Sequence, residues 1–278
     1  MSGALSRPPL MLITGAAGHI STASTPLLRD AGYRLRLLDL KLPSAADERD
    51  EVVVGSVLDP ALIVEAAKGV GVLVHLAGHA SERPWADIMA LNVESARIVL
   101  EAARDAKVGL VILASSVHAV GFVPSDAATD DVVATRPDCF YGLNKVLIES
   151  AASLFADRFD MRIVSTRMMS FQTRPHDVRQ LSTMLSPADF VRLVDAAHRH
   201  APSGHHIVWG VSANMRRTVS LEAGRRIGYE PPDDAEAYAD VLARELGYDG
   251  AADLPSIGSQ PLGGEKYTTA PLGGTCDA

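Results

Sequence analysis

Short apolar runs recur along the chain at residues 10–14, 34–38, 51–54, 72–76, 110–114, 162–166 and 206–209. Several are apolar almost throughout, the pattern of parallel strands buried on both faces. Between them lie segments of helical period at 19–31, 60–67, 84–106 and 138–159. Strand alternating with helix predicts the α/β class, a doubly wound parallel sheet.

Beyond residue 167 the pattern changes. Residues 173–185 read as a loop. A helix is expected over 186–200, with Ser186 as N-cap, Pro187 at the first helical position and Asp189 in the first turn. Phe190, Leu193, Val194 and Ala197 give it an apolar face. Another helix is expected over 232–246. Residues 255–278 are rich in Gly, Pro, Ser and Thr and repeat Pro-Leu-Gly-Gly at 261–264 and 271–274. Three parts are therefore expected. Residues 1–167 form a Rossmann domain that also carries the catalytic groups. Residues 168–254 form a small C-terminal substrate lobe and add the last strand of the sheet. Residues 255–278 form an extended or disordered tail.

Composition narrows the function. The chain has 278 residues, 47% of them apolar, a globular balance. Its net charge of −8 disfavours sequence-independent binding to nucleic acid, which needs clustered cations. Two cysteines, Cys139 and Cys276, are too few for a disulfide scaffold, and no CxxC spacing suggests zinc. No secretory signal or membrane span is recognisable, so a cytoplasmic protein with no membrane partner is expected.

The first strand runs into Thr14-Gly-Ala-Ala-Gly-His-Ile20 and then a helix. Glycines there let the backbone turn sharply beside a pyrophosphate, and the helix start offers free N–H groups to its charge. Gly15, Ala17, Gly18, His19 and Ile20 are the candidate cofactor contacts. Asp39 ends the second strand, 21 residues after Gly18. A carboxylate there bonds both ribose hydroxyls of NAD and repels the extra phosphate of NADP, so the expected cofactor is NAD. The plainer reading of Asp39 is a solvated strand end.

Tyr141-Gly-Leu-Asn-Lys145 sets a tyrosine and a lysine one helical turn apart. A phenol of ordinary pKa near ~10 is a poor base at neutral pH, and a neighbouring ammonium favours the phenolate. Ser116 ends the fifth strand, 25 residues before Tyr141. Its hydroxyl can orient a reacting oxygen. Tyr-x-x-x-Lys alone is common by chance. Together with the turn, Asp39 and Ser116, in this order, it points to an oxidoreductase.

These motifs, TGAAGHI, LLDL, VHLAG, LNV, ASSVHAVG and YGLNK, resemble the extended short-chain dehydrogenase/reductases, the NAD-dependent epimerase/dehydratase family. The resemblance implies that Leu76, Ala77 and Gly78 lie near the cofactor and that Asn92 helps to order the active-site helix and its water. The segments RQLSTMLSPADFV, from Arg179, and VWGVSAN, from Val208, resemble the uronate dehydrogenase branch of the family. The likeness runs from about residue 10 to 248. It implies a small-molecule uronic acid as substrate, with Arg179 holding its carboxylate bidentately. It also implies that Ser170 and His118 contact the sugar. The chain departs from the pattern at four places. Ser21 replaces the third glycine, Ser56 an aspartate, Val117 an asparagine, and Ala80 a pocket serine, with Ser81 beside it as the candidate contact. These changes keep other readings open: another NAD-dependent sugar or small-alcohol dehydrogenase, a sugar-nucleotide epimerase, or a non-catalytic NAD sensor.

Other features carry less. His198, His200, His205 and His206 straddle a helix end and a turn, the pattern of solvated or capping residues, so no metal is expected. Cys139 reads as a pocket wall. A homo-oligomer paired through the helices near 84–106 and 138–159 is expected from the resemblance.

Overall fold

The computed structural model describes residues 9–127, 133–256 and 260–274. Residues 1–8 and Cys276, discussed above, lie outside them. Seven parallel strands form one sheet: β1 (Leu10–Thr14), β2 (Arg34–Asp39), β3 (Glu51–Val54), β4 (Val70–His75), β5 (Leu110–Ser116), β6 (Arg162–Met168) and, after a small pair β7 (Ser170–Phe171) and β8 (Met184–Leu185), β9 (Gly204–Gly210). The order is β3-β2-β1-β4-β5-β6-β9, reversing between β1 and β4. Ligands bind outside the carboxyl ends of strands at such a reversal.

Both faces of the sheet are covered, which is why its strands are apolar throughout. On one face Met11, Ile13, Leu35, Leu37, Val72 and Val74 pack against α1 (His19–Asp30) and, through Phe190, Leu193 and Val194, against α7 (Pro187–His200). On the other, Leu12, Leu73, Val111, Leu113 and Ile163 meet Ile63, Ile98, Val99, Ile148 and Ala152. These come from α2 (Pro60–Ala66), α4 (Glu94–Asp105) and α5 (Phe140–Phe159). A separate small core of Leu181, Met184, Ala235, Ala239, Leu242, Ala243 and Leu254 lies among the later residues. Among the described residues no helix is long and apolar enough to cross a membrane.

Four expectations need correction. The helix expected over 84–106 is interrupted: α3 (Trp85–Ile88) passes into a π-turn at Met89–Val93 before α4. The wider turn lets Asn92 reach the backbone of His79, accepting from its N–H (2.7 Å) and donating to its carbonyl (3.0 Å). The loop expected over 173–185 contains α6 (Gln180–Thr183) and β8, because Leu181, Met184 and Leu185 are buried. The helix expected over 232–246 is a 3₁₀ turn, Ala235–Tyr238, followed by α9 (Ala239–Glu245); α8 (Glu222–Arg226) precedes it.

The tail differs most. Residues 260–274 fold back onto the sheet's carboxyl edge as an arm carrying α10 (Glu265–Thr269). Ser125 N–H donates to the Gln260 carbonyl (2.9 Å), Leu262 N–H to Val123 (2.9 Å) and Gly263 N–H to Gly121 (3.0 Å). Leu262 is buried in the main core. Leu262, the Tyr267 ring packed by Ile88, Cys139 and Tyr141, and a ladder of backbone bonds hold a segment whose composition suggested an extended arm or a disordered tail.

Candidate active site

The β1–α1 turn is built by conformation. Gly15 has φ +75°, and a Cβ there would lie 2.6 Å from the Ala77 amide nitrogen. Only glycine permits this approach of the first and fourth strand ends. Ser21, in place of a third glycine, is buried and donates to the Gly15 carbonyl (2.8 Å), so the change tightens the turn. Asp39 Oδ2 accepts from Ala17 N–H (3.0 Å) and Oδ1 from Lys41 N–H (3.2 Å). These bonds orient the carboxylate at the rim of a cleft of about 230 Å³ lined by Gly15, Gly18, Asp39, Ser56, Ala77 and Gly78 among others. The lining fits NAD: a cradle that a Cβ would fill, and a carboxylate at the end of the neighbouring strand. His19 and Ile20 start α1 at its mouth, with His19 exposed and edge-on to Phe171. Asn92 stands behind this cleft. It is buried, bonded to His79 and 3.4 Å from Asn144 Oδ1, so it braces the wall and α5.

The catalytic candidates converge at the carboxyl end of β5. Ser116 is its last residue and caps the following turn, accepting from His118 N–H (3.2 Å). Tyr141 lies on the first turn of α5, where the Ser116 side chain is near enough to favour its phenolate. Lys145 follows one turn later, its Nζ 5.2 Å from the Tyr141 ring centre and donating to the Ala114 carbonyl (2.7 Å). Burial sets the protonation of both. It raises the Tyr141 pKa, which the Ser116 side chain only partly offsets. It lowers Lys145 to about 8, against the Glu149 carboxylate, which pulls upward. The sequence led us to expect a Tyr141 pKa lowered by Lys145. In the bare protein desolvation wins, and the ammonium is directed at a carbonyl.

The start of α5 is held by two residues that the sequence did not single out. Glu82 is buried, and its carboxylate accepts from the N–H groups of Phe140 (3.2 Å), Tyr141 (2.7 Å) and Gly273 (2.9 Å). It thereby joins the catalytic helix to the arm. Asp138 is buried beside it and bonds His118 Nδ1 (2.9 Å). Cys139 caps α5, its sulfur accepting from Gly142 N–H (3.2 Å) while its thiol donates to Asp138 (3.0 Å). Burial pushes that thiol upward, so it keeps its proton for this bond. His118, Asp138 and Cys139 gather metal-ligand atom types within 4.8 Å, but the bonds among them occupy Nδ1, the carboxylate and the sulfur. A buried carboxylate leaves no mark on composition; the only signal was two acids, in SERPW and RPDCFYG, beside the motifs.

The candidate substrate residues are less evenly placed. His118 lies within the cluster, its ring centre 5.7 Å from that of Tyr141. The arm brings Tyr267 against it, ring centres 4.0 Å apart. Arg179 points under the arm, Nη2 donating to the Leu262 carbonyl (2.6 Å). Among the described residues no carboxylate pairs with it, and burial lowers its pKa. Ser170 bonds Thr183 (2.9 Å), whose hydroxyl reaches the Arg179 carbonyl (3.1 Å). Ser81 is buried and takes a bond from Arg83 (3.0 Å).

Sheet, cleft and the Ser116–Tyr141–Lys145 cluster define a nicotinamide-dependent oxidoreductase of the Rossmann class. Residues 11–188 match the NAD dependent epimerase/dehydratase family, and the chain belongs to that family. It is 33% identical over 265 residues to the uronate dehydrogenase of Pseudomonas syringae pv. tomato, covering 95% of this chain and 94% of that one. The match thus continues past residue 248 into the arm. Among solved structures it is similar to the uronate dehydrogenase from Agrobacterium tumefaciens, with 29% identity, 96% and 98% of the two chains covered and a TM-score of 0.86. The glucuronic acid dehydrogenase from Chromohalobacter salexigens aligns with 31% identity, 95% and 98% coverage and a TM-score of 0.85.

Proposed function

We propose that this chain oxidises a hexuronic acid, glucuronate or galacturonate, at its anomeric carbon to an aldarolactone, with NAD as oxidant. The observation that carries the reading is the Arg179 guanidinium. It is partly buried, pairs with no carboxylate among the described residues, and lies within electrostatic reach of Asp138 and Tyr267, the two residues that adjoin His118. A desolvated cation of this kind favours an anionic ligand.

NAD, when bound, supplies the hydride acceptor. The residues that would hold it are those of the β1–α1 turn, Asp39 on the ribose, and Leu76 to Gly78. Tyr141 takes the proton of the anomeric hydroxyl. Ser116 holds that oxygen in line and stabilises charge as the proton leaves. Lys145, one turn from Tyr141, would hold the cofactor ribose and face the phenol. Its positive charge then counters the burial that keeps Tyr141 protonated. Arg179 takes the carboxylate, with Ser170, Ser81 and His118 reading the hydroxyls. We assign Asn92 to bracing. We further propose a cytoplasmic homo-oligomer acting on this small molecule.

The test is NADH absorbance with uronates and the matching neutral sugars. Arg179→Ala is expected to raise KM for a uronate at least about tenfold while leaving neutral sugars unchanged. Equal effects on both would remove Arg179 as the carboxylate reader.

A further inference from the structure

The surroundings of Asp138 are unusual for a carboxylate. Its side chain is fully shielded, and what closes around it is backbone. Cβ atoms built on Gly121 and Gly263 would fall 1.9 Å and 1.8 Å from its Oδ2, and one on Gly142 would fall 3.1 Å from Oδ1. The turn after β5, the first turn of α5 and the C-terminal arm each offer a glycine at the contact. Three segments far apart in sequence therefore enclose one charged group.

A carboxylate buried this way needs donors. It has the Cys139 thiol at 3.0 Å on Oδ1 and the His118 Nδ1 at 2.9 Å on Oδ2. An ionised carboxylate only accepts, so Nδ1 carries the imidazole proton and Nε2 is left with a lone pair. Among the described residues no protein group bonds Nε2. The ring is in contact with both Tyr141 and Tyr267, and the His118 backbone N–H holds Ser116 Oγ.

We infer that Asp138 is a positioning residue that fixes the His118 tautomer, so that Nε2 accepts the sugar hydroxyl next to the reacting one. The inference rests on the uronate reading for its substrate, but not for the tautomer. Asp138 acts only through His118; the reacting oxygen stays with Ser116 and Tyr141.

Asp138→Asn tests this. The Cys139 thiol keeps the amide oxygen at the Oδ1 site, which turns the NH₂ toward Nδ1. Nδ1 then becomes the acceptor, and the proton moves to Nε2. Side-chain ¹⁵N NMR of His118 is expected to show the Nδ1–H form in the native protein and the Nε2–H form in the variant. KM for a uronate is expected to rise about tenfold. That rise should vanish for the 2-deoxy uronate and in a His118→Ala background. An Nε2–H imidazole in the native protein would overturn the proposal without any variant. So would an unchanged tautomer in Asp138→Asn, or an equal KM rise in the His118→Ala background. Native protein that turns over no uronate would remove the proposed substrate, and the NMR result would still decide the role of Asp138.

Discussion

Gly263→Ala tests whether the arm is part of the site. Gly263 is not among the glycines with positive φ, so its backbone accepts alanine without strain. Its neighbours do not. The new Cβ would stand 1.8 Å from Asp138 Oδ2, 3.0 Å from Cγ and 3.1 Å from His118 Nδ1. Asp138 cannot retreat, because Gly121 and Gly142 close it from other sides. The arm must therefore either lift or stay overpacked. Full release gives up the burial of Leu262, about 1.5–3 kcal/mol, and the bonds from Leu262 and Gly263 N–H, about 0.5–1.5 kcal/mol each. Staying in place costs about 1–3 kcal/mol of overpacking. The smaller cost wins, so docking weakens by about 1–3 kcal/mol. Amide exchange at Leu262 and Gly263 is expected to accelerate at least about fivefold, with exchange in β1 and β4 unchanged. Whenever the weakened arm opens, Arg179 loses its carbonyl partner, so kcat/KM for a uronate is expected to fall. Unaltered exchange at Leu262 in the variant would refute the reasoning.

Two further outcomes follow from buried charge. Burial holds Lys145 at about 8 instead of 10.5, so the unfolded chain binds more protons between those values and stability climbs with pH across that window. Lys145→Met removes the buried ammonium. It is expected to stabilise the bare protein at pH 7 by about 1–2 kcal/mol, after the Ala114 carbonyl loses its partner, and to abolish turnover; a lower melting temperature would contradict this. His75 is bonded to Thr14 (2.7 Å) and Ser95 (3.2 Å) and held neutral, down to about 3, by burial and then by the charge of Lys145. Its contribution is complete above pH 6.5 and drains away between 6.5 and 3, by up to about 4–5 kcal/mol. Urea unfolding at pH 7, 5 and 4 is expected to show a steeper loss in the native chain than in His75→Gln, and parallel curves would count against it.

The sheet was legible because strands buried on both faces cannot hide their composition. The apolar run at 110–114 marked β5, and only its length was underestimated, since Ser115 and Ser116 continue the strand. The turn at Gly15 and the Tyr141–Lys145 spacing were legible because chemistry constrains both residue type and interval. The interruption at Met89–Val93 was not: Met, Ala and Leu are good helix formers, and the π-turn exists for the sake of a buried bond from Asn92 to His79. Glu82 escaped because its burial is decided by segments more than fifty residues away, and Asp138 because the turn after β5 and the arm close over it. The arm escaped for the same reason, having little apolar surface beyond Leu262 and Tyr267 to announce its docking.

The arm also has a place in the order of synthesis. Chains emerge and fold from the N-terminal end. Here β1 to β6, the cofactor cleft and the Ser116–Tyr141–Lys145 cluster are all made before residue 260. A nascent chain therefore passes through a stage with a cradle for the dinucleotide but an open pocket, in which Arg179 lacks its carbonyl and Asp138 is uncovered on one side. Messages cut short in that interval would yield a chain that has every strand of the sheet but lacks the segment that closes over Asp138 and Arg179.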